Sequence, residues 1–277
     1  MNHGGMDKLR SHIEYKKSPM YMEDIGVEYR DNISIKDITY GGFSQEKIST
    51  YLVEPSGEGP FAGVIYVHPS PGNRETFLEE AINLAEHGVA SLLIEAPWAY
   101  DNYVAKLMQL FHGGLREWYT EIVIDLQRGI DLLSSIPNID PERLGFVGHS
   151  SGALFGGIVA GLDTRIKTYI LMAGVGSFTD VALLNMPDLA GEELKNYQEM
   201  MVPIDPIHYI GQAAPASLFF QLGHQDDFFT KKQFLNYYNA ASDPKKMQWY
   251  DADHYMGDDA SHDDRIWWLK QELNKKE

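Results

Sequence analysis

Gly148-His149-Ser150-Ser151-Gly152 lies between an apolar run, Leu144 to Val147, and a stretch of small and apolar residues, Ala153 to Gly156. The Gly-x-Ser-x-Gly spacing lets a strand and a helix pack closely on either side of a cramped turn. The serine is thrust out at the strand's carboxyl end. A serine hydroxyl is a weak nucleophile at neutral pH, so it needs a base, and the base needs an anion to set its tautomer. The 277 residues include no cysteine, which excludes disulfides, thiolate nucleophiles and cysteine metal sites. Any covalent chemistry of that kind falls to serine.

The elements around this turn follow from hydrophobic patterning. Ile33 to Ile38 alternates apolar and polar residues, Ile48 to Val53 is rich in β-branched and aromatic residues, and Gly41-Gly42 separates them, so an antiparallel edge pair is expected. Nearly continuous apolar runs at Ala62 to His68 and Val89 to Ile94 read as strands buried on both faces, and the segments ending at Val147, Met172, Leu222 and Tyr250 read as further strands. Between them the spacing predicts helices over 74–86, 118–133, 230–241 and 261–273. Strand and helix in alternation imply parallel strands with crossover helices on both faces. About forty residues, 176–212, replace a short crossover, which leaves either a cap over the site or an ordinary crossover with long loops. Residues 1–30 show no sustained periodicity and read as an arm on the domain or on a second subunit.

The strand, serine turn and helix resemble the nucleophile elbow of the α/β-hydrolase superfamily. The resemblance runs over nearly the whole chain from residue 33. It implies one α/β domain over 31–277, a mostly parallel central sheet of about eight strands with helices on both faces, and a cap-like insertion at about 176–212. That superfamily orders its catalytic residues Ser, Asp, His. Phe219 to Asp226 supplies a strand, a glycine and an acid three residues later, and Trp249 to Met256 puts a histidine after the last strand. The resemblance therefore implies Ser150 as nucleophile, Asp226 as orienting acid and His254 as base. Asp227 competes with Asp226, since neighbours in an extended segment point opposite ways. The glycine spacing favours Asp226.

The amide of Ser151, at the positive end of the following helix, is the first implied oxyanion donor. His68-Pro69-Ser70-Pro71-Gly72 occupies the place of the family's His-Gly-rich oxyanion loop. Neither proline has an N–H, so Ser70 is the second donor. Trp98, Tyr100 and Tyr103 follow a strand's carboxyl end, where ligands bind in open α/β sheets, and suggest an apolar acyl pocket or packing of the insertion. Arg74 and His149 are further candidates for the substrate site. Arg74 stands at a helix start, unfavourable for a cation, so a carboxylate partner from protein or substrate is expected. His68 reads as a support for its own loop.

Asp205-Pro206-Ile207 and the Gly-x-x-Asp turn bring the chain nearest to the dienelactone-hydrolase and prolyl-oligopeptidase-related branch. Dienelactone hydrolases usually use cysteine, and the peptidases usually carry Gly-Gly after the serine and a propeller, whereas this chain has Gly152-Ala153. A carboxylesterase acting through an acyl-enzyme on a small-molecule ester of small or medium acyl size is the reading. Peptidase, amidase or thioesterase chemistry with the same triad stays open, as does a non-catalytic receptor. No cofactor or metal is called for: the acidic stretch from Asp251 to Asp264 lacks calcium-loop and zinc-protease spacing.

A formal charge of −17 disfavours nucleic acid and anionic membrane surfaces as partners. No run approaches the length of a membrane span, and the first thirty residues do not read as a secretory signal. A cytoplasmic protein is expected, with a homodimer left open.

Overall fold

The computed structural model describes Ile13 and residues 21–274. Nine strands form a single sheet: β1 (Met22–Arg30), β2 (Ile33–Gly41), β3 (Lys47–Glu54), β4 (Phe61–Val67), β5 (Val89–Ile94), β6 (Ile139–His149), β7 (Ile166–Met172), β8 (Ser217–Gly223) and β9 (Lys245–Tyr250). Their order is β1-β2-β3-β5-β4-β6-β7-β8-β9. β1, β2, β3 and β5 pair antiparallel in turn, and from β5 onward every pairing is parallel. β5 and β8 are buried along their whole length, as apolar strands covered on both faces must be.

The helices are α1 (Leu78–Ala85), α2 (Tyr103–Leu110), α3 (Leu115–Ser135), α4 (Ser151–Leu162), α5 (Phe178–Asn185), α6 (Gly191–Met201), α7 (Lys231–Ala240) and α8 (Asp259–Leu273). α1 and α8 bury Ala81, Leu84, Leu269 and Leu273 against one face of the sheet. α3, α4 and α7 bury Ile122, Ile130, Ile158 and Phe234 against the other. At ~25 cal/mol per Å2 of apolar surface, these two layers supply the main favourable term in folding. Beneath the loop after β9, Arg265 of α8 donates to Glu80 of α1 at 2.8 Å and to Gln221 of β8 at 3.0 Å, and Tyr66 donates to Glu80 at 3.1 Å. This buried, fully paired group pins α8 under that loop.

The sheet has one strand more than the expected eight. β1 arises from residues assigned to an N-terminal arm, and the rest of that arm, apart from Ile13 and Tyr21, lies outside the described residues. The first helix begins at Leu78 rather than 74, because Thr76 and Leu78 donate three residues back and hold 73–78 in turns. Residues 176–212 hold α5, α6 and short 3-10 turns. Among the described residues no helix is long and apolar enough to cross a membrane.

Candidate active site

The turn between β6 and α4 puts Ser150 at φ 51°, ψ −109°, a backbone conformation that side chains other than glycine rarely adopt. Its glycines are required by contact. A Cβ at Gly148 would stand 2.4 Å from the Gly152 carbonyl oxygen, and one at Gly152 would stand 2.1 Å from that of Val67. The Ser150 N–H donates to the Met172 carbonyl at 2.8 Å, which ties the elbow to β7.

The loops after β8 and β9 continue their strands' pairing. His224 N–H donates to Tyr250 O at 2.8 Å and Gln225 N–H to Ala252 O at 3.0 Å, so the loops that carry Asp226 and His254 are fastened to each other. Asp226 and His254 end up side by side with side chains 1% and 3% exposed. His254 Nδ1 lies 2.7 Å from Asp226 Oδ2, and His254 Nε2 lies 2.8 Å from Ser150 Oγ. The other carboxylate oxygen of Asp226 accepts from the N–H groups of Phe228 and Phe229, each at 2.9 Å. The Phe228 ring stacks on the imidazole at 4.3 Å. Asp227 is exposed, its backbone neighbour having taken the inward position.

Two further histidines are buried nearby, and burial lowers both to about 4, so they are neutral at physiological pH. At His68, Nε2 accepts from Ala96 N–H at 3.0 Å, which puts the proton on Nδ1. Nδ1 donates to the Pro69 carbonyl at 2.8 Å, and Trp98 Nε1–H is left to donate to the His68 carbonyl at 3.1 Å. His68 thereby props the Pro69-Ser70-Pro71 loop and aligns Trp98. His149 Nε2 donates to the His254 carbonyl at 2.8 Å, bracing His254.

Two residues expected at the substrate site are elsewhere. Arg74 forms two hydrogen bonds to Asp37, at 2.6 and 3.1 Å, and lies 3.9 Å over the Tyr51 ring, so its carboxylate partner is the protein's own. It does not line the cavity above Ser150. His149 does not either: it is 3% exposed and is occupied with the His254 backbone. Of the ten histidines, His224 stacks on Trp249 and His262 sits beside Glu80 and Asp263, both apart from Ser150.

The cavity has a volume of about 650 Å3. Ser70, Ser150, Ser151 and Trp98 border it, as do residues with no prior place in the site: Phe111 and Tyr119. α5 with Ala182, Met186 just beyond its end, and α6 with Tyr197 close one side. Ser151 opens α4, so its N–H has no acceptor within the helix.

The sequence profile of the acetyl xylan esterase (AXE1) family matches residues 12–204. The acetyl xylan esterase from Paenibacillus sp. R4 superposes with a TM-score of 0.77 at 19% identity, covering 96% of this chain and 92% of that one. Acetyl xylan esterase 1 from Thermoanaerobacterium sp. JW/SL YS485 gives 0.79 at 14% identity, covering 98% and 93%. At these identities the likeness is one of fold. A putative hydrolase of Bacillus subtilis, YtaP, is 24% identical over 172 residues, 56% of this chain, and the match spans 57% of that relative's length. Since the profile covers well over half of its length, the chain belongs to the acetyl xylan esterase family, within the α/β-hydrolase esterases.

Proposed function

We propose that the protein hydrolyses a carboxylic ester of a small molecule through an acyl-enzyme on Ser150. The observation that carries this reading is the unbroken line of hydrogen bonds from Ser150 Oγ through the two nitrogens of His254 to Asp226, at 2.8 and 2.7 Å. Asp226 holds the proton on Nδ1, leaving the Nε2 lone pair aimed at the serine hydroxyl. As Oγ bonds to the acyl carbon, its proton passes to Nε2 and the carbonyl oxygen becomes an oxyanion. The Ser151 N–H, helped by the dipole of α4, and the Ser70 N–H are the donors assigned to that oxyanion. Collapse expels the alcohol, which takes the proton from His254. Water then repeats the sequence on the acyl-enzyme, releasing the acid and restoring Ser150. Trp98 borders the cavity and forms part of the substrate wall.

The test is intact-mass analysis after treatment with a fluorophosphonate, for wild type, Ser150→Ala and His254→Ala, with hydrolysis of p-nitrophenyl acetate measured in parallel. One adduct in wild type and none in Ser150→Ala is the expected result. A folded wild type that neither labels nor turns over the ester would overturn the reading.

A further inference from the structure

Ester cleavage leaves open which esters enter, and the charges around Ser150 bear on that. Among the described residues, the border of the cavity holds one carboxylate, Asp101, and no Lys or Arg. Asp101 is exposed, between Tyr100 and α2 at the mouth. Behind His254 the carboxylate of Asp226 adds a second negative group close to the nucleophile.

The cations on the surrounding elements face carboxylates of their own. Lys106 of α2 borders a neighbouring groove together with Glu121, its Nζ 4.6 Å over the Trp118 ring. Arg116 of α3 pairs with Glu117 at 2.8 Å, and Lys195 of α6 stands 3.7 Å from Glu192. His112 stands 4.0 Å from Glu193. Among the described residues, no cluster of cations therefore offsets at this opening the −17 that the whole chain carries. A cleft of one sign between low-dielectric walls concentrates ligands of the opposite sign and repels those of its own.

The walls add to this. Trp98, Tyr103, Phe111, Tyr119, Tyr197 and Phe228 border the space above Ser150. The face of an aromatic ring is its negative part, and a cation held over one gains about two- to thirtyfold in affinity, according to how dry the site is. An exposed carboxylate such as Asp101 contributes about two- to fivefold more. An anion gains neither and meets the repulsion. Granting Ser150 as the nucleophile of an esterase, we infer that the site selects esters by charge: it favours a cationic group, such as an amine or quaternary ammonium, near the ester, accepts neutral esters and rejects anionic ones, with Asp101 as the residue that sets the order. The acid freed in every turnover is itself an anion, so the same field favours its release.

The experiment measures kcat/KM at low ionic strength for three acetates on one frame: acetylcholine, its neutral isostere 3,3-dimethylbutyl acetate, and 2-acetoxyethanesulfonate. Acetate release is followed for wild type, Asp101→Asn and Glu86→Gln. Glu86 is exposed at the end of α1 and does not border the cavity, so its variant removes an equal charge elsewhere. The expected order is cation, neutral, anion, with the cation at least tenfold above the anion. In Asp101→Asn that ratio should fall at least threefold, and in Glu86→Gln by less than half as much; comparing variants cancels the intrinsic reactivity of the three esters. A wild-type ratio under tenfold, a smaller fall in Asp101→Asn, or an equal fall in Glu86→Gln overturns the inference. Fluorophosphonate labelling separates the two ways of failing. No adduct on Ser150 and no turnover of any acetate removes the esterase reading and this one together, whereas an adduct without the charge order removes this one alone.

Discussion

Replacing Asp226 by Asn probes the proposed relay with almost no change of shape. One carboxylate oxygen accepts two backbone N–H groups, from Phe228 and Phe229, each at 2.9 Å. An amide NH2 cannot accept, so the amide oxygen of the new side chain must occupy that position and its NH2 must face His254 Nδ1. Nδ1 then has to present its lone pair, and the imidazole proton moves to Nε2, which stands 2.8 Å from Ser150 Oγ. A protonated Nε2 cannot take the serine proton. The expected loss in kcat is about 10⁴-fold, or about 5.5 kcal/mol of transition-state stabilisation. Because both backbone donors keep an acceptor, the melting temperature should stay within about 3 °C of wild type. Initial rates on p-nitrophenyl acetate and a thermal melt measure both quantities. Asp227→Asn, at an exposed position, is the control and should stay within about twofold. A loss under about 100-fold for Asp226→Asn, or a comparable loss for Asp227→Asn, would refute the assignment of the acid.

Three further outcomes are expected. His149→Phe removes the donor beneath the His254 carbonyl, leaving a buried acceptor unpaired at about 1–3 kcal/mol; kcat should fall about tenfold with KM little changed, and His149→Gln, which can keep an N–H there, should recover most of it. Equal losses in both variants would count against a bracing role. Asp205 accepts from Phe178 N–H at 2.7 Å at the start of α5, and burial raises its carboxyl to about 7, so the fold favours its protonated form. Its contribution is fully present below about pH 4 and lost as pH rises to about 7. Melts of Asp205→Asn should therefore gain on wild type between pH 5 and pH 8, and an unchanged gap would refute the cause. A Cβ at Gly157 would lie 1.5 Å from the Tyr237 hydroxyl, so Gly157→Ala should cost about 2 kcal/mol or more, read as a lowered denaturant midpoint. Tyr237→Phe added to it should return part of that loss, and strict additivity would show that the hydroxyl is not the obstacle.

Much of the site was legible because its parts are local. Gly148, Ser150 and Gly152 declare the elbow through spacing that only close backbone contact explains. Asp226 and His254 each follow a strand whose apolar run is visible, and the parallel sheet brings those strand ends together. What could not be read depends on contacts between distant segments. Arg74 finds Asp37 across the sheet on β2, and no pattern near residue 74 names that partner. His149 meets a carbonyl 105 residues away, so neighbours in sequence give no hint which way its ring turns. β1 is exposed nearly throughout, and its short alternation of Ile25, Val27 and Tyr29 with Gly26, Glu28 and Arg30 marks no buried face. α2 buries none of its residues fully yet walls the cavity with Tyr103 and Leu107, and its short span between two stronger elements hid it.

Three buried histidines surround this centre, and they differ in what each ring nitrogen meets. The ring nitrogens of His68 and His149 hydrogen-bond to neutral backbone groups, and burial, the largest cause at each, lowers both to about 4. They act as fixed hydrogen-bonding struts, one under the Ser70 loop and one under His254. His254 alone has a carboxylate on one nitrogen and the serine on the other. The neutrality of His149 matters to the proposed chemistry, because its ring centre lies 5.7 Å from that of His254. A second cation at that distance would raise the energy of the imidazolium formed during acylation by about 3 kcal/mol at an effective dielectric constant of about 20. That is about a hundredfold in rate. Burying His149 against a carbonyl keeps the positive charge of the reaction on one ring, the one that Asp226 is placed to stabilise.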